Sequence, residues 1–104
     1  MDIKRVQEQL WANKVAKGFN TTNLEREFNY TYAELAEAYD AYRKGKPNVG
    51  EELADVVLFV MSLARMLEVD LEQEIEAKIA KNEGRQYAKY NGHHVQISEK
   101  KGGE

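Results

Sequence analysis

The length, composition and charge of the chain exclude several classes of protein. Its 104 residues are 42% hydrophobic and 32% charged, which suits one folded helical domain and is too apolar for a disordered chain. The absence of cysteine excludes disulfides and thiolate metal sites, and a net charge of −3 with scattered basic residues argues against nucleic-acid binding.

Two amphipathic helices are predicted in the N-terminal half of the chain. Apolar residues recur at a helical period from Asp2 to Lys17, and Gly18 suits a left-handed cap after them. A capping box at residues 22–25 opens a second helix, which runs to about Lys44. This helix ends at Pro47, because proline lacks the amide hydrogen that a continuing helix uses.

A third helix is predicted to begin after Asn48. From Val56 to Met61 it is apolar on every side, which predicts burial on every side. A chain this small can bury such a helix only at the centre of a bundle or against another subunit. We therefore expect part of this segment at a subunit interface, with three candidates: Val57, Phe59 and Val60.

A fourth helix completes the predicted fold. Residues 70–73 cap it, and the helical pattern fades after Tyr87. We find no internal repeat and no β-alternation of useful length. The predicted fold is all-α, a four-helix antiparallel bundle completed by oligomerisation. Residues 1–90 are predicted to form the helical domain and residues 91–104 a polar, flexible C-terminal tail.

No segment resembles a membrane anchor or a secretion signal. The longest charge-free run, Val56 to Ala64, is far shorter than the ~20 residues that cross a bilayer. The first residues, Met1 to Arg5, lack the apolar region of a signal peptide. We therefore expect a cytoplasmic protein with no membrane partner.

Two acidic pairs stand out, Glu34 with Glu37 and Glu52 with Asp55. Helical residues three apart lie side by side, with Cβ atoms roughly 5–6 Å apart. If the second and third helices pack together, the four carboxylates converge, and each raises the pKa of the others. A divalent cation relieves this repulsion. Oxygen ligands without cysteine or helical histidine favour Mg²⁺, with Mn²⁺ as a possible substitute.

Ordinary explanations compete with a metal site. Glu51 and Glu52 lie in the first turn of a helix, where acidic side chains complement the helix dipole. Five further acids are interpreted as solvated surface groups: Glu25, Glu27, Glu72, Glu74 and Glu76. In contrast, Glu34 and Glu37 lie beside the apolar stripe, and Asp55 directly precedes the apolar segment. These positions favour an Mg²⁺ site that receives a phosphorylated molecule.

Basic and aromatic side chains are candidates for the rest of such a ligand. Lys78, Asn82 and Arg85 are spaced four and three apart, which places them along one face of the fourth helix. Arginine grips a phosphate in two-pronged fashion, whereas lysine acts as a point charge. A solvated basic face is the alternative interpretation. Three aromatic side chains are candidates for stacking on a base, with ordinary core packing as the alternative: Trp11, Phe19 and Tyr39.

The order of these motifs resembles the MazG-like all-α nucleoside triphosphate pyrophosphohydrolases. Both acidic pairs, the apolar helix and the pattern Lys78-x-x-x-Asn82-x-x-Arg85 follow one another as in that family. The resemblance spans Trp11 to Tyr87. It implies hydrolysis of a nucleoside triphosphate between its α and β phosphates, which yields a nucleoside monophosphate and pyrophosphate. It also implies a homodimer or a homotetramer.

The resemblance assigns a role to each motif. The Mg²⁺ ligands and catalytic carboxylates would be Glu34, Glu37, Glu52 and Asp55. The groups that face the triphosphate or the sugar would be Lys78, Asn82 and Arg85. The first helix and the Lys17–Phe19 segment match the least uniform part of the family, which contacts the base, so the nucleobase is not specified. Glu51 is a candidate for a supporting partner of the ligands or for the general base.

Two other hypotheses account for parts of the pattern. A carboxylate-bridged di-iron or di-manganese bundle uses Glu-x-x-His on two helices, and no predicted helix contains histidine. A non-catalytic helical oligomer or nucleotide-binding adaptor is the other alternative, with acids that only solvate the surface. Such a module would bind nucleotide and Mg²⁺ without hydrolysis, and substitution of the four acids would leave this binding unaffected.

Overall fold

The chain folds into helices followed by a β-hairpin. The computed structural model describes the backbone of residues 1–90 and 93–99 and the side chains of residues 1–84. Within these residues lie four helices, α1 (Ile3–Lys17), α2 (Leu24–Arg43), α3 (Val49–Met66) and α4 (Leu71–Glu83). Two antiparallel strands follow, β1 (Arg85–Tyr90) and β2 (His93–Glu99). The predicted all-α class with four helices is confirmed.

Capping residues set the ends of the first two helices. The side chain of Asp2 accepts a hydrogen bond from the backbone N–H of Arg5 at 3.1 Å, and Asn23 does the same for Arg26 at 3.0 Å. Gly18 ends α1 in the left-handed conformation, with φ of 68°, which a residue without a Cβ adopts at little cost. The helix starts and stops predicted from the sequence are therefore close to the observed ones.

Helix α3 holds the first part of the chain together. Met1–Leu71 form one compact unit, in which α3 packs against both α2 and α1. Among the described residues the buried apolar side chains are three alanines, a methionine and a leucine: Ala38, Ala41, Met61, Leu63 and Ala64. Alanines on α2 let its backbone approach α3 closely, so the side chains that flank this contact are brought near one another.

The apolar segment of α3 is not buried on every side in the single chain, so of its two predicted places the centre of a bundle is wrong. Val57 is 51% exposed and Val60 is 39% exposed, and the fully buried part of α3 is Met61–Ala64. The reason is that α1 and α2 cover only part of the circumference of α3. A place for Val57, Phe59 or Val60 in a subunit interface stays a prediction. No helix in the described part of the chain combines the length and hydropathy that a membrane span requires.

A second compact unit begins at Glu72 and contains a hairpin that the sequence analysis did not predict. In this hairpin Ala88 pairs with Val95. The dipeptide Asn91-Gly92, a frequent hairpin turn, was the available signal. Residues 93–99 of the predicted tail form β2, whereas 91–92 and 100–104 lie outside the described residues. The predicted domain boundary after residue 90 stays a prediction.

The packing of α2 on α3 predicts that enlarging a buried alanine destabilises the chain. Ala38 is only 3% exposed, so Ala38→Leu is expected to lower the free energy of unfolding by about 1–3 kcal/mol through overpacking. Denaturant unfolding followed by circular dichroism measures this loss. The control is Ala33→Leu at an exposed position of the same helix. Equal unfolding midpoints for the two variants would contradict burial of Ala38 in the folded chain.

Candidate metal centre and adjoining cleft

Three of the four predicted carboxylates converge where α2 meets α3. Glu34 and Glu37 lie one turn apart on α2, and Glu52 lies in the first turn of α3. One carboxylate oxygen from each lies within 4.8 Å of the other two. Two of the three side chains are half-buried and Glu37 is exposed. The helix pairing therefore gathers members of both acidic pairs at one point.

Asp55, the fourth predicted carboxylate, lies beside this group rather than within it. It follows Glu52 by one turn of α3, and its charge contributes to the raised pKa of Glu34. The side chain of Asn48 makes no cap bond to the backbone, and its amide instead donates to a carboxylate oxygen of Glu52 at 3.2 Å. This bond orients the carboxylate that α3 contributes to the cluster.

The carboxylates of the cluster repel one another, and desolvation and this repulsion both affect the pKa of Glu34. The pKa of Glu34 is raised, first by desolvation and then by the charge of Glu37 and a hydrogen bond to it. The charges of Asp55 and Glu52 raise it further. Each of these effects disfavours the ionised form of Glu34. Carboxylate oxygens are the donors that Mg²⁺ and Mn²⁺ prefer, so the donor set fits such a cation.

A cleft of about 560 Å³ adjoins the cluster within the first compact unit. Asp55 forms part of its wall, together with the apolar side chains of Leu10, Phe19, Leu58 and Phe59. Its volume lies in the range of small-molecule sites, and its mixture of apolar walls and a few polar groups is typical of them. The cleft is thus a second part of the candidate site, connected to the first by Asp55.

A buried ion pair in the wall of this cleft was missed by the sequence analysis. The ammonium of Lys14 donates to a carboxylate oxygen of Glu27 at 2.6 Å and to the hydroxyl of Ser62 at 2.8 Å. The amide of Asn20 donates to the other carboxylate oxygen of Glu27 at 3.1 Å. The interpretation of Glu27 as a solvated surface group is wrong, since only 2% of it is exposed. Its spacing of eleven residues from buried Ala38 was the available signal, because that spacing returns to the same helix face.

The predicted phosphate-binding residues occupy two different elements. Lys78 and Asn82 are exposed and lie one turn apart on α4. The prediction that Arg85 shares their helix face is wrong, because α4 ends at Glu83 and Arg85 begins β1. The intervening Gly84 favours this ending, since glycine is a poor helix former. All three belong to the second unit, and their role in binding stays a prediction.

The three candidate stacking aromatics have different surroundings. Phe19 is 56% exposed and lines the cleft, with the ammonium of Lys17 at 5.8 Å from the ring centre. Trp11 carries the guanidinium of Arg65 over its ring at 4.5 Å. Tyr39 is 62% exposed. The alternative of ordinary core packing is wrong for Phe19 and Tyr39, and Phe19 is the one of the three that lines the cleft.

Comparison with known proteins identifies the family. The family model described as MazG-like matches residues 23–104. The chain belongs to the MazG-like family. This match confirms the resemblance inferred from the motifs, whereas no curated protein and no solved structure matches the chain. The MazG-like match begins at the N-cap of α2, so it includes both acidic pairs and leaves Lys14 and the rest of α1 outside.

The raised pKa of Glu34 predicts a pH-dependent stability in the absence of divalent cations. When the folded pKa of a carboxyl group exceeds its unfolded value, its contribution to stability is full below the unfolded pKa and is lost as the pH rises through the folded one. Glu34→Gln removes this titration. We expect it to raise Tm by about 1–4 °C at pH 7 but not at about pH 4.

Thermal unfolding at the two pH values, with EDTA present, measures this difference. Glu76→Gln on α4 is the control, and it should leave the pH dependence of Tm as in the wild type. Added Mg²⁺ should raise the Tm of the wild type more than that of Glu34→Gln. A Tm difference between the Glu34 variant and the wild type that is the same at both pH values would contradict the assignment.

Proposed function

We propose that this MazG-like protein is a Mg²⁺-dependent nucleoside triphosphate pyrophosphohydrolase. It cleaves the bond between the α and β phosphates of ribo- or deoxyribonucleotides and releases a nucleoside monophosphate and pyrophosphate. The observation that carries this proposal is the convergence of Glu34, Glu37 and Glu52 within 4.8 Å. Membership of the MazG-like family supports the class of reaction.

The four carboxylates have distinct tasks in this proposal. Glu34, Glu37 and Glu52 would hold the cation, and Asp55 would complete the set from its place beside them. Mg²⁺, or Mn²⁺ in its place, supplies charge neutralisation for phosphate oxygens and activation of water when bound. Crowding of like charges supports this assignment, since the cation removes a repulsion that the apo cluster retains.

Other side chains would orient the reacting groups. Asn48 holds the Glu52 carboxylate through a hydrogen bond of 3.2 Å. Glu51 is exposed next to Glu52 and is available as the general base that takes a proton from the attacking water. Lys78 and Arg85 would meet the negative charge that develops on the leaving pyrophosphate. The predicted cytoplasmic location and the absence of nucleic-acid and membrane partners remain predictions.

Self-association is part of the proposal. Apolar side chains of α3 are exposed in the single chain, and Leu53 and Val57 are each about half exposed. These residues lie on the helix that bears Glu52 and Asp55. A homodimer or homotetramer formed through α3 would cover this apolar surface. It would also fix the position of the helix that carries two of the four candidate ligands.

The activity is tested with purified protein, Mg²⁺ and a panel of ribo- and deoxyribonucleoside triphosphates. We expect equimolar pyrophosphate and nucleoside monophosphate. Glu34→Gln, Glu37→Gln and Glu52→Gln should each lower kcat/KM by at least about a hundredfold, since each removes a cation ligand. The control variant Glu76→Gln makes the same chemical change on α4 and should keep wild-type activity.

Three outcomes would count against this function. Release of single orthophosphates would indicate cleavage of a bond other than the one between the α and β phosphates. Full activity of Glu37→Gln would show that Glu37 is not a cation ligand. Nucleotide and Mg²⁺ binding without turnover, unaffected by the glutamine variants, would favour the non-catalytic binding module.

The self-association is tested by light scattering and sedimentation at micromolar concentration. The wild type is expected as a dimer or tetramer. Val57→Lys should weaken association by at least about tenfold, because it buries a charge in an apolar contact. Val15→Lys, at a comparably exposed apolar position on α1, is the matched control and should leave association unchanged. A strict monomer in the wild type would remove this part of the proposal.

A further inference from the structure

The buried pair of Lys14 and Glu27 faces the cleft and retains hydrogen-bonding capacity. Both residues line the cleft, although the side chains are only 11% and 3% exposed. Two of the three ammonium donors of Lys14 are taken by oxygens of Glu27 and Ser62, and the third meets the weakly accepting sulfur of Met66 at 3.9 Å. Each carboxylate oxygen of Glu27 has a second lone pair. A donor and an acceptor therefore lie side by side in the wall.

Stability alone does not account for an ion pair at this place. Desolvation of two buried charges offsets most of their attraction, and apolar replacements of similar volume are often neutral or stabilising. The lining of the cleft includes apolar side chains such as Leu10, Leu58 and Phe59, beside polar ones such as Asn13 and Arg26. Two charges among them are better explained by a ligand with polar atoms at its edge.

The pair lies at a fixed distance from the acidic cluster on two helices at once. On α2, Glu27 precedes Glu34 by seven residues, and on α3, Ser62 follows Asp55 by seven. Seven residues are about two helical turns, which return to the same face some 10.5 Å further along, by a rise of about 1.5 Å per residue. Because a short connection makes α2 and α3 antiparallel, the two spacings run in the same direction. The separation between the ion pair and the acidic cluster is comparable with the distance in a nucleotide from the edge of the base to the phosphate.

We propose that Lys14 and Glu27 recognise the hydrogen-bonding edge of the nucleobase and determine which bases the site accepts. The inference rests on the proposed function, in which the triphosphate lies at the acidic cluster. Ammonium and carboxylate pair with adjacent acceptor and donor atoms of the base, while Phe19 and Leu58 supply apolar contact to the ring. Amino and oxo bases carry donor and acceptor in opposite order, so the pair discriminates between them.

The test compares two pairs of bases that differ only in this order, cytosine with uracil and adenine with hypoxanthine. For each, kcat/KM is measured with the deoxynucleoside triphosphate, and Kd is measured by calorimetry with its α,β-methylene analogue and Mg²⁺. Glu27→Gln is nearly isosteric and changes one acceptor into a donor. It should change the ratio of kcat/KM for the amino base to kcat/KM for the oxo base by at least about tenfold. One good hydrogen-bonded contact to a base gives discrimination of this size.

A double variant, Lys14→Glu with Glu27→Lys, keeps an ion pair and reverses its order. It should prefer the opposite member of each base pair. The control is Glu8→Gln, which removes the charge from the exposed ion pair of Glu8 with Arg65 at 3.0 Å and should leave the ratios unchanged. Circular dichroism and Tm establish that each variant is folded. Should the double variant not fold, Glu27→Gln decides the question alone.

Turnover and binding are measured separately, so failure of base recognition is distinguished from failure of the hydrolase. Hydrolysis by the wild type with no base preference, or ratios in folded Glu27→Gln within about twofold of wild type, would overturn base recognition and leave the hydrolase intact. Discrimination among the methylene analogues that Glu27→Gln abolishes, without any turnover, would support base recognition and overturn the hydrolase. Absence of both binding and turnover would overturn both.

Discussion

The close packing of α2 against α3 is the constraint on which the candidate site depends. Small buried side chains on α2, Ala38 and Ala41, allow the two helices to approach, and this approach brings Glu34 and Glu37 of one helix to Glu52 of the other. Two helices that met through larger side chains would hold these carboxylates further apart. The unfavourable proximity of like charges therefore follows from a favourable contact between helices, and the fold tolerates it because the cluster remains partly solvated. A partly solvated cluster of carboxylates is also accessible to a cation from solution.

Helices α2 and α3 carry two polar clusters, two turns apart, of which one is negatively charged and the other is compensated. At one end the negative charges have no cationic side chain among the causes of the Glu34 pKa shift, all of which raise it. At the other end Glu27 is compensated by Lys14 at 2.6 Å and by the amide of Asn20. This difference in charge explains why the cluster at Glu34 suits a metal ion, whereas the pair of Lys14 and Glu27 suits a neutral, polar ligand. An uncompensated Glu27 in that position would itself attract a cation or a proton, and would not present a fixed acceptor to a base.

Local patterns in the sequence predict the helices well, because capping is a local interaction. Gly18 ends α1 as predicted, whereas the observed N-cap of α2 is Asn23, one residue after the first residue of the predicted capping box. The acidic spacing is local too, although the meeting of the two acidic pairs requires the packing of α2 on α3. Burial is not local. Glu27 lies on a charged helix, and its compensation comes from Lys14 on a different helix, so composition suggests a surface group where the fold has an enclosed one. For Val57 the sequence predicted burial, and the single chain provides too few helices to cover it.

In the proposed function, α1 contributes to recognition of the base but supplies none of the carboxylates that hold the cation. The acidic cluster is built entirely from α2 and α3, which lie within the MazG-like match, whereas Lys14 belongs to α1, outside it. Contact of α1 with α3 completes the cleft, and the hydrogen bond from Lys14 to Ser62 links the two helices directly. A substitution on α1 can therefore alter the polar wall of the cleft while every carboxylate of the cluster is retained, because Glu34, Glu37 and Glu52 belong to α2 and α3. If the proposed function holds, the choice of base would change while the chemistry at the phosphates is preserved. The short α1–α2 connection carries Phe19, so a change in this connection would alter both the wall and the rim of the cleft.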